Sequence, residues 1–312
     1  MTLKEQNRLY RAAKKIAVPY RHQPGIIDID FGMKRVGGIP TDELAIRFKT
    51  TKKLEPGFMK SRDIFPATLG EFKTDVIEVQ PELHGKFQDP RLPIRPLTGG
   101  IQIIGEEWIS VDYFGTLGCI FPFRGMILGI TNYHVLYGDL SPATVLNDFV
   151  GKKFIFQNQY DPARNMSIGK SFGAFNMELD YATIFLDPKV KKEPSINGIR
   201  GFTDPLSAKP ASKLMLGVTR VVKSGIATGR TFGVVDGRSL LHPPMITIFE
   251  DKNDPQPEGD LSRPGDSGAV WVIDDQSNMI TLVALNIGSM APHTAYGSSF
   301  DTILKSINAI LK

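Results

Sequence analysis

A serine flanked by glycines stands in the segment Pro264-Gly265-Asp266-Ser267-Gly268. Small neighbours permit a tight turn and leave space for a substrate at the hydroxyl group. The backbone amides of Gly265 and Ser267 can then face one oxygen atom and form an oxyanion hole, in which each donor stabilises a transition state by about 3 kcal/mol. A glycine-rich turn between two strands has the same composition, so both interpretations stay open for this segment alone.

A serine hydroxyl is a weak nucleophile unless a base removes its proton. His134 is the candidate base, because it closes the apolar run that begins at Met126, and the end of a strand can hold an imidazole rigid and reachable. His242 and His293 are the competitors, but both lie beside prolines in predicted loops. The chain has five histidines: His22, His84, His134, His242 and His293.

The base in turn needs a carboxylate that fixes its tautomer. Asp180 stands directly before the apolar run YATIFL, although a carboxylate at such a junction more often caps a turn. The order His134, Asp180, Ser267 is the order of the chymotrypsin triad and differs from the orders of subtilisin and the α/β-hydrolases. The sequence therefore predicts these three residues as a catalytic triad.

The elements that must position these residues are predicted to be short strands. From residue 99 onward, brief apolar runs alternate with Gly, Pro, Asn or Asp, which favours an all-β barrel or sandwich over βαβ units. The segment Ser299–Leu311 closes the chain as an amphipathic helix. The predicted strand runs are IQII, WISVDY, GTLGCIF, MILGITNYHVL, KFIFQ, DYATIFL, LMLGVTRVV, TFGVV, MITIFE, GAVWVI and ITLVALNIG.

The region before residue 99 has a different sequence pattern. Residues 3–17 read as one basic amphipathic helix, best packed on its own domain with a solvated basic face. The runs GIIDIDF, LAIRF and DVIEV predict strands, and the alternation in IIDIDF predicts one buried and one solvated face. We divide the chain into an N-terminal helix (1–22), a small α+β domain (23–80), a proline-rich linker (81–98) and the main domain (99–312).

Three motifs carry a resemblance to a known family. NYHVL, ELDYATI and PGDSGAVW resemble the His, Asp and Ser segments of trypsin-like serine peptidases, in the same order, within residues 99–312. The resemblance implies a chymotrypsin-like double six-stranded β-barrel with a C-terminal helix. The leading region is also similar to a domain that precedes the peptidase in some bacterial trypsin-like proteins and in plant narrow-leaf proteases.

The sequence departs from the pattern of that family without losing a catalytic group. Ala269 replaces a second glycine after the serine, and Val135 stands where secreted members have a cysteine, so the local disulfide is absent. No Ile-Val activation terminus is evident, so the activity implied by the resemblance would not depend on a zymogen switch. In that case Asp266 points elsewhere or helps to hold the serine loop.

The resemblance also implies a substrate pocket. Leu261 would lie at its base, and Asn286 and Gly288 would form one wall. An apolar base between open walls implies a preference for an apolar residue at P1, the position before the cleaved bond. A competing interpretation is that Leu261 simply packs beneath the serine loop.

Composition excludes several classes of protein. The 312 residues carry 37 Lys and Arg against 33 Asp and Glu, a net charge of +4 that is too small and dispersed to indicate nucleic-acid binding. The single cysteine, Cys119, excludes an intrachain disulfide, and without clustered histidines we expect no metal and no cofactor. No apolar stretch approaches a membrane span and the charged start is unlike a secretory signal, so we expect a cytoplasmic protein.

Taken with the motifs, these features predict an intracellular serine endopeptidase that acts on protein or peptide substrates through an acyl-enzyme. Regulation by the N-terminal domain, by a protein partner or by self-association is a further expectation. The alternative is a peptidase-fold module that binds partners with little or no turnover. An esterase on another fold is disfavoured, because the chain has neither a GxSxG motif nor the matching order of triad residues.

Overall fold

The computed structural model describes residues 1–21, 23, 25–50, 65–79, 82–83, 94–111, 113–157, 167–242, 244–251, 260–275, 277–291 and 293–312. The helices are α1 (Leu3–Ala17), α2 (Tyr133–Tyr137), α3 (Pro142–Asp148) and α4 (Phe300–Ile310), with short 3₁₀ turns at Val18–Tyr20, Glu106–Val111 and Ala211–Lys213. The strands are β1 (Ile26–Val36), β2 (Ile39–Thr50), β3 (Thr68–Leu69), β4 (Phe72–Glu78), β5 (Glu82–Leu83), β6 (Leu97–Gly99), β7 (Ile101–Gly105), β8 (Phe114–Leu117), β9 (Cys119–Phe123), β10 (Met126–Thr131), β11 (Phe154–Gln157), β12 (Ser167–Asn176), β13 (Tyr181–Leu186), β14 (Lys192–Ile196), β15 (Ile199–Ala208), β16 (Arg220–Gly225), β17 (Gly229–Ser239), β18 (Met245–Glu250), β19 (Val270–Ile273), β20 (Met279–Ala291) and β21 (Thr294–Ser299).

The first barrel is an antiparallel sheet of seven strands in the order β8-β7-β11-β12-β13-β10-β9. Its two end strands follow each other in the chain, separated only by Gly118, whose amide donates to the Ile130 carbonyl 2.8 Å away in β10. The sheet therefore curls until it is nearly closed. Its interior holds a cluster of buried apolar side chains that includes Ile103, Val135 and Ile184.

The second barrel is closed. Strands β16, β19, β20, β21, β18 and β17 each pair with the next, and β17 pairs back with β16. Trp271 and Val221 lie in its buried cluster. The all-β fold class with two barrels is thus confirmed, although the first barrel has seven strands and not six.

The C-terminal helix is confirmed as α4, with Ser299 as its N-cap residue. Its buried side chains Phe300, Ile303 and Ile307 share one apolar cluster with Phe121 and Leu282, and this cluster joins residues of both barrels. The helix therefore helps to fix the two barrels against each other, which matters because the candidate triad draws residues from both.

The N-terminal helix is also confirmed over residues 3–17, and the strands that follow it extend the second barrel. β1 and β2 form an antiparallel hairpin around Gly37 and Gly38, β4 adds to β2 in parallel, and β1 pairs with β17. In the predicted linker, β5 pairs with β20 and β6 pairs with β14. The boundaries of the four-part division stay a prediction.

Two expectations about local structure were wrong. Asp28 and Asp30 in IIDIDF are buried rather than solvated, because Lys49 and Arg47 pair with them in the same hairpin, with Arg47 Nε 2.6 Å from Asp30 Oδ1. Within the run WISVDY, the described residues 108–111 belong to the 3₁₀ turn Glu106–Val111 and not to a strand, with the Trp108 indole N–H donating to the Leu136 carbonyl at 2.8 Å.

Candidate active site

His134 lies on the short helix α2, immediately after β10, and not at the strand end that the sequence predicts. β10 pairs with β13 so that Thr131 lies opposite Ala182. This register brings the residues that follow β10 against the residues that precede β13. Asn132 fastens the junction, because its side-chain amide donates to the Asp180 carbonyl at 2.7 Å.

Asp180 contacts His134 twice. Its Oδ2 lies 2.7 Å from the imidazole Nδ1, and its Oδ1 accepts from the His134 backbone amide at 3.0 Å. A carboxylate only accepts hydrogen bonds, so in the neutral imidazole Nδ1 carries the ring proton and Nε2 has a free lone pair. Asp180 has φ 49°, a left-handed conformation that aspartate tolerates better than most residues.

The serine loop lies between β18 and β19, in the second barrel. Backbone geometry explains why two of its residues are glycines. Gly265 has φ 103° and Gly268 has φ 90°, conformations that other residues rarely adopt. A Cβ atom at Gly268 would also meet the Thr116 carbonyl oxygen and Thr131 Oγ1 at 2.2 Å. The loop can therefore approach the first barrel only because this position has no side chain.

Thr116 of β8 holds the loop across the barrel interface. Its backbone amide donates to the Ser267 carbonyl at 2.8 Å, and its hydroxyl donates to the Gly265 carbonyl at 2.8 Å. A Cβ atom at Gly115 would meet both the Ser267 carbonyl, at 2.9 Å, and the Val135 side chain, at 2.6 Å. Ser267 thus lies next to the residue that follows His134.

The Ser267 hydroxyl itself is bonded elsewhere. It donates to the Ile287 carbonyl at 2.8 Å, and Ser267 is fully buried. His134 is 6% exposed, and its Nε2 atom is buried and has no hydrogen-bond partner. The structure therefore joins His134 to Asp180 and brings the Ser267 loop beside them, with no hydrogen bond between Ser267 and His134.

Asp266 points away from the site and anchors the loop from within. Its carboxylate pairs with Lys223 Nζ at 3.0 Å and accepts from the amides of Ala227, Thr228 and Arg263. Burial alone would raise the pKa of Asp266, but Lys223, the Thr228 hydroxyl and the Arg263 amide hold it below its usual value. Burial lowers the pKa of Lys223, and Asp266 opposes that effect.

The predicted oxyanion donors are free within the described part of the chain. There, the amides of Gly265 and Ser267 donate to no protein oxygen, whereas the intervening Asp266 amide donates to the Arg263 carbonyl at 3.0 Å. Two such donors in one loop can bind an anionic oxygen.

The predicted pocket residues have other contacts. Leu261 is buried in the core cluster of the second barrel, and its carbonyl accepts from Thr231 Oγ1 at 3.0 Å. The Asn286 side chain is fully engaged, since it donates to Ser262 Oγ and the Asp266 carbonyl and accepts from the Trp271 indole. Gly288 lies on β20, between β21 and β5.

The pKa values of two tyrosines, Tyr113 and Tyr296, are raised by burial and by the charge of Asp180. Burial raises the pKa of Tyr113 to about 12, and the negative charge of Asp180 adds to the effect. The pKa of Tyr296 is raised for the same two reasons, again with burial as the larger one. Both phenols stay neutral at physiological pH. They can therefore donate hydrogen bonds and add no negative charge near the pair of His134 and Asp180.

The remaining histidines are used otherwise or are not described. His293 pairs through Nδ1 with Glu250 at 2.7 Å, and the backbone amide of His242 donates to Ser239 Oγ. His22 and His84 lie outside the described residues. Among the residues that the structure describes, no cluster of His, Cys, Asp or Glu has the arrangement of a metal site, and no helix is long and apolar enough to cross a membrane.

Sequence reasoning missed two residues that hold the loop, Thr116 and Lys223. Lys223 carried a signal, because it interrupts the apolar run RVVKSG, where a buried charge requires a partner. Thr116 carried none, since a threonine within a strand is ordinary.

No family model and no curated protein matches this chain. A solved structure described as a glutamic acid specific serine protease is 15% identical, covering 68% of this chain and 98% of its own, with a TM-score of 0.44. Thermobifida fusca protease A is 12% identical over 68% and 95%, with a TM-score of 0.43, and an α-lytic protease homologue, N4, is 17% identical over 68% and 97%, also at 0.43.

At these identities and TM-scores the similarity by itself decides neither fold nor activity. The strand order, the two barrels and the packing of α4 define the class: the chain has the trypsin-like double-barrel fold that its motifs predict.

Proposed function

We propose that this chain is a serine endopeptidase with Ser267 as nucleophile, His134 as general base and Asp180 as its orienting carboxylate. The observation that carries the proposal is His134, which Asp180 holds by its imidazole Nδ1 and by its backbone amide, and whose buried Nε2 has no hydrogen-bond partner. A base with no competing partner is available to the Ser267 hydroxyl, whose loop lies next to Val135.

The reaction begins when the Ser267 hydroxyl turns from the Ile287 carbonyl to His134 Nε2. Its oxygen attacks the peptide carbonyl as Nε2 takes the proton, and the amides of Gly265 and Ser267 receive the developing negative charge. The imidazolium, stabilised by Asp180, then protonates the departing amine and leaves an acyl-enzyme. Water, deprotonated by the same nitrogen, hydrolyses that ester and restores the hydroxyl.

Labelling with a fluorophosphonate tests this assignment, because the reagent forms a covalent bond with an activated serine. We expect labelling of the wild type, none of Ser267→Ala, and a rate reduced roughly 10³–10⁴-fold in Asp180→Asn, in which the imidazole loses its fixed tautomer. Ser277→Ala, which removes an exposed hydroxyl, is the matched control and should label as the wild type does. Equal labelling of the wild type and Ser267→Ala would refute the assignment.

The preference for an apolar P1 residue is part of the proposal. It is supported by the family resemblance, which places Leu261 and Gly288 at the pocket, whereas in the structure Leu261 packs in the core cluster of the second barrel. A peptide library varied only at P1 checks it, with faster cleavage expected after Leu, Phe or Met than after Lys, Arg or Glu. Faster cleavage after a charged residue would contradict it.

Regulation by residues 1–98 and a cytoplasmic location belong to the same proposal. The location is supported by the lone, buried thiol of Cys119.

One observation favours a second candidate, a peptide-binding module without turnover: Ser267 is fully buried and its proton is committed to Ile287. The two candidates differ in covalent chemistry. A binding module would retain peptide substrates with equal affinity in the wild type and Ser267→Ala and would label in neither.

A further inference from the structure

The strand β20 has two edges near the candidate nucleophile, and one is already filled. β21 pairs along one edge, where Tyr296 lies opposite Gly288. Along the other edge, β19 pairs as far as Leu285, and the carbonyl of Asn286 then accepts from the Gly268 amide at 3.0 Å. The next carbonyl, that of Ile287, accepts from the Ser267 hydroxyl. This second edge therefore leads directly past the nucleophile.

The two residues beyond Ile287 on β20 are covered by the chain's own N-terminal region. Leu83 lies opposite Gly288 and Glu82 lies opposite Ser289, in antiparallel register. β5 consequently runs from Ser289 toward Gly288, in the direction of Ile287. The contact is made by backbone positions of an extended segment, which is how an extended peptide adds to an exposed strand edge.

A second observation agrees with this occupancy. The Ser267 hydroxyl has no exposed surface and the His134 imidazole almost none, although both must touch a substrate in the proposed reaction. An extended substrate that reached Ser267 along β20 would need the edge positions of Gly288 and Ser289. Because a strand edge pairs with one partner at a time, β5 and such a peptide exclude each other.

We propose that β5 is an intramolecular competitor that keeps peptide substrates off the edge of β20, so that hydrolysis requires its displacement. The inference rests on the proposed function and specifies how that same site is regulated. A site that is open only a fraction of the time binds substrate with an apparent affinity lowered by that fraction. Displacing β5 therefore raises turnover at low substrate concentration without altering any catalytic group.

The test replaces both residues of β5 in the full-length chain. Proline has no backbone N–H, so Glu82→Pro with Leu83→Pro breaks the pairing with Gly288 and Ser289. Glu82→Ala with Leu83→Ala is the matched control, because it removes the same side chains and keeps the backbone donors. We expect hydrolysis of a fluorogenic peptide at low concentration to rise at least about tenfold in the proline variant and less than about threefold in the alanine variant. Intact mass confirms that the chain remains uncut.

The outcomes separate the two proposals. Equal hydrolysis by the wild type and a folded proline variant, abolished in both by Ser267→Ala, would overturn the role of β5 and leave the peptidase assignment standing. No hydrolysis and no fluorophosphonate labelling in either protein would overturn the peptidase assignment, and the regulatory role with it.

A measurement in trans covers the case in which the proline variant folds poorly. A synthetic peptide with the sequence of residues 79–85, VQPELHG, should inhibit the wild type competitively, because it offers the same segment to the same edge. A scrambled peptide of the same composition is the control. Equal inhibition by both peptides, or by neither, would contradict the proposal.

Discussion

The ion pair between Lys223 and Asp266 predicts a large and pH-dependent effect of one substitution. Both side chains are fully buried, and Lys223 Nζ lies 3.0 Å from Asp266 Oδ2. Lys223→Met keeps the aliphatic stem and removes the charge, which leaves the carboxylate buried without its cation. Breaking a buried pair in this way costs about 3–5 kcal/mol of the free energy of unfolding.

The control is an identical substitution at an exposed pair. Lys305 Nζ lies 2.6 Å from Asp301 on α4, but the lysine side chain is 73% exposed. Such surface pairs contribute well under about 1 kcal/mol. Denaturant unfolding followed by circular dichroism should therefore show a much lower midpoint for Lys223→Met and almost none of that change for Lys305→Met.

Acid distinguishes charge from packing in this experiment. Without Lys223 the pKa of Asp266 rises, so lowering the pH toward 4 protonates the unpaired carboxylate and removes the penalty. The stability difference from wild type should shrink between pH 7 and pH 4. Because Asp266 anchors the serine loop, fluorophosphonate labelling at pH 7 should slow roughly 10–100-fold. A penalty below about 1 kcal/mol, or one that is the same at both pH values, would refute this reasoning.

Three further predictions concern the serine loop, its supports and the buried carboxylate Asp30. Thr116→Val removes the hydroxyl that donates to the Gly265 carbonyl and should cost about 1–3 kcal/mol and slow labelling; an unchanged unfolding midpoint would contradict it. Gly268→Ala places a Cβ atom 2.2 Å from the Thr116 carbonyl oxygen, at a residue with φ 90°. It should lower the free energy of unfolding by more than about 2 kcal/mol in the same denaturation assay. A variant as stable as the wild type would contradict this. The pKa values of Asp266 and Asp30 are lowered from 3.8 in the folded protein. Their contribution to the free energy of unfolding is therefore complete above pH 3.8 and is lost as the pH falls through their folded pKa values, by about 1.4 kcal/mol for each unit of lowering. A flat profile of stability from pH 5 to pH 2 would contradict this.

The catalytic candidates were predictable because each is marked by its immediate neighbours. The glycines around Ser267 are required by local backbone conformation, and Asp180 directly precedes the strand that the apolar run YATIFL predicts. Which carbonyl the Ser267 hydroxyl contacts depends instead on how two barrels meet. A pattern of residue types records the first kind of requirement and leaves the second unspecified.

In the N-terminal strands, too, the local pattern predicts the element but not the contacts that other strands make with it. The alternation of IIDIDF predicts a strand correctly, yet period-two patterning assigns its acidic residues to solvent because carboxylates are seldom buried. Asp30 is buried because Arg47 of the paired strand reaches it, and Arg47 also contacts Asp236 of β17 at 2.6 Å. One arginine thus links β2 to the closed barrel through partners on two other strands. That link places the N-terminal hairpin on the barrel that carries Ser267.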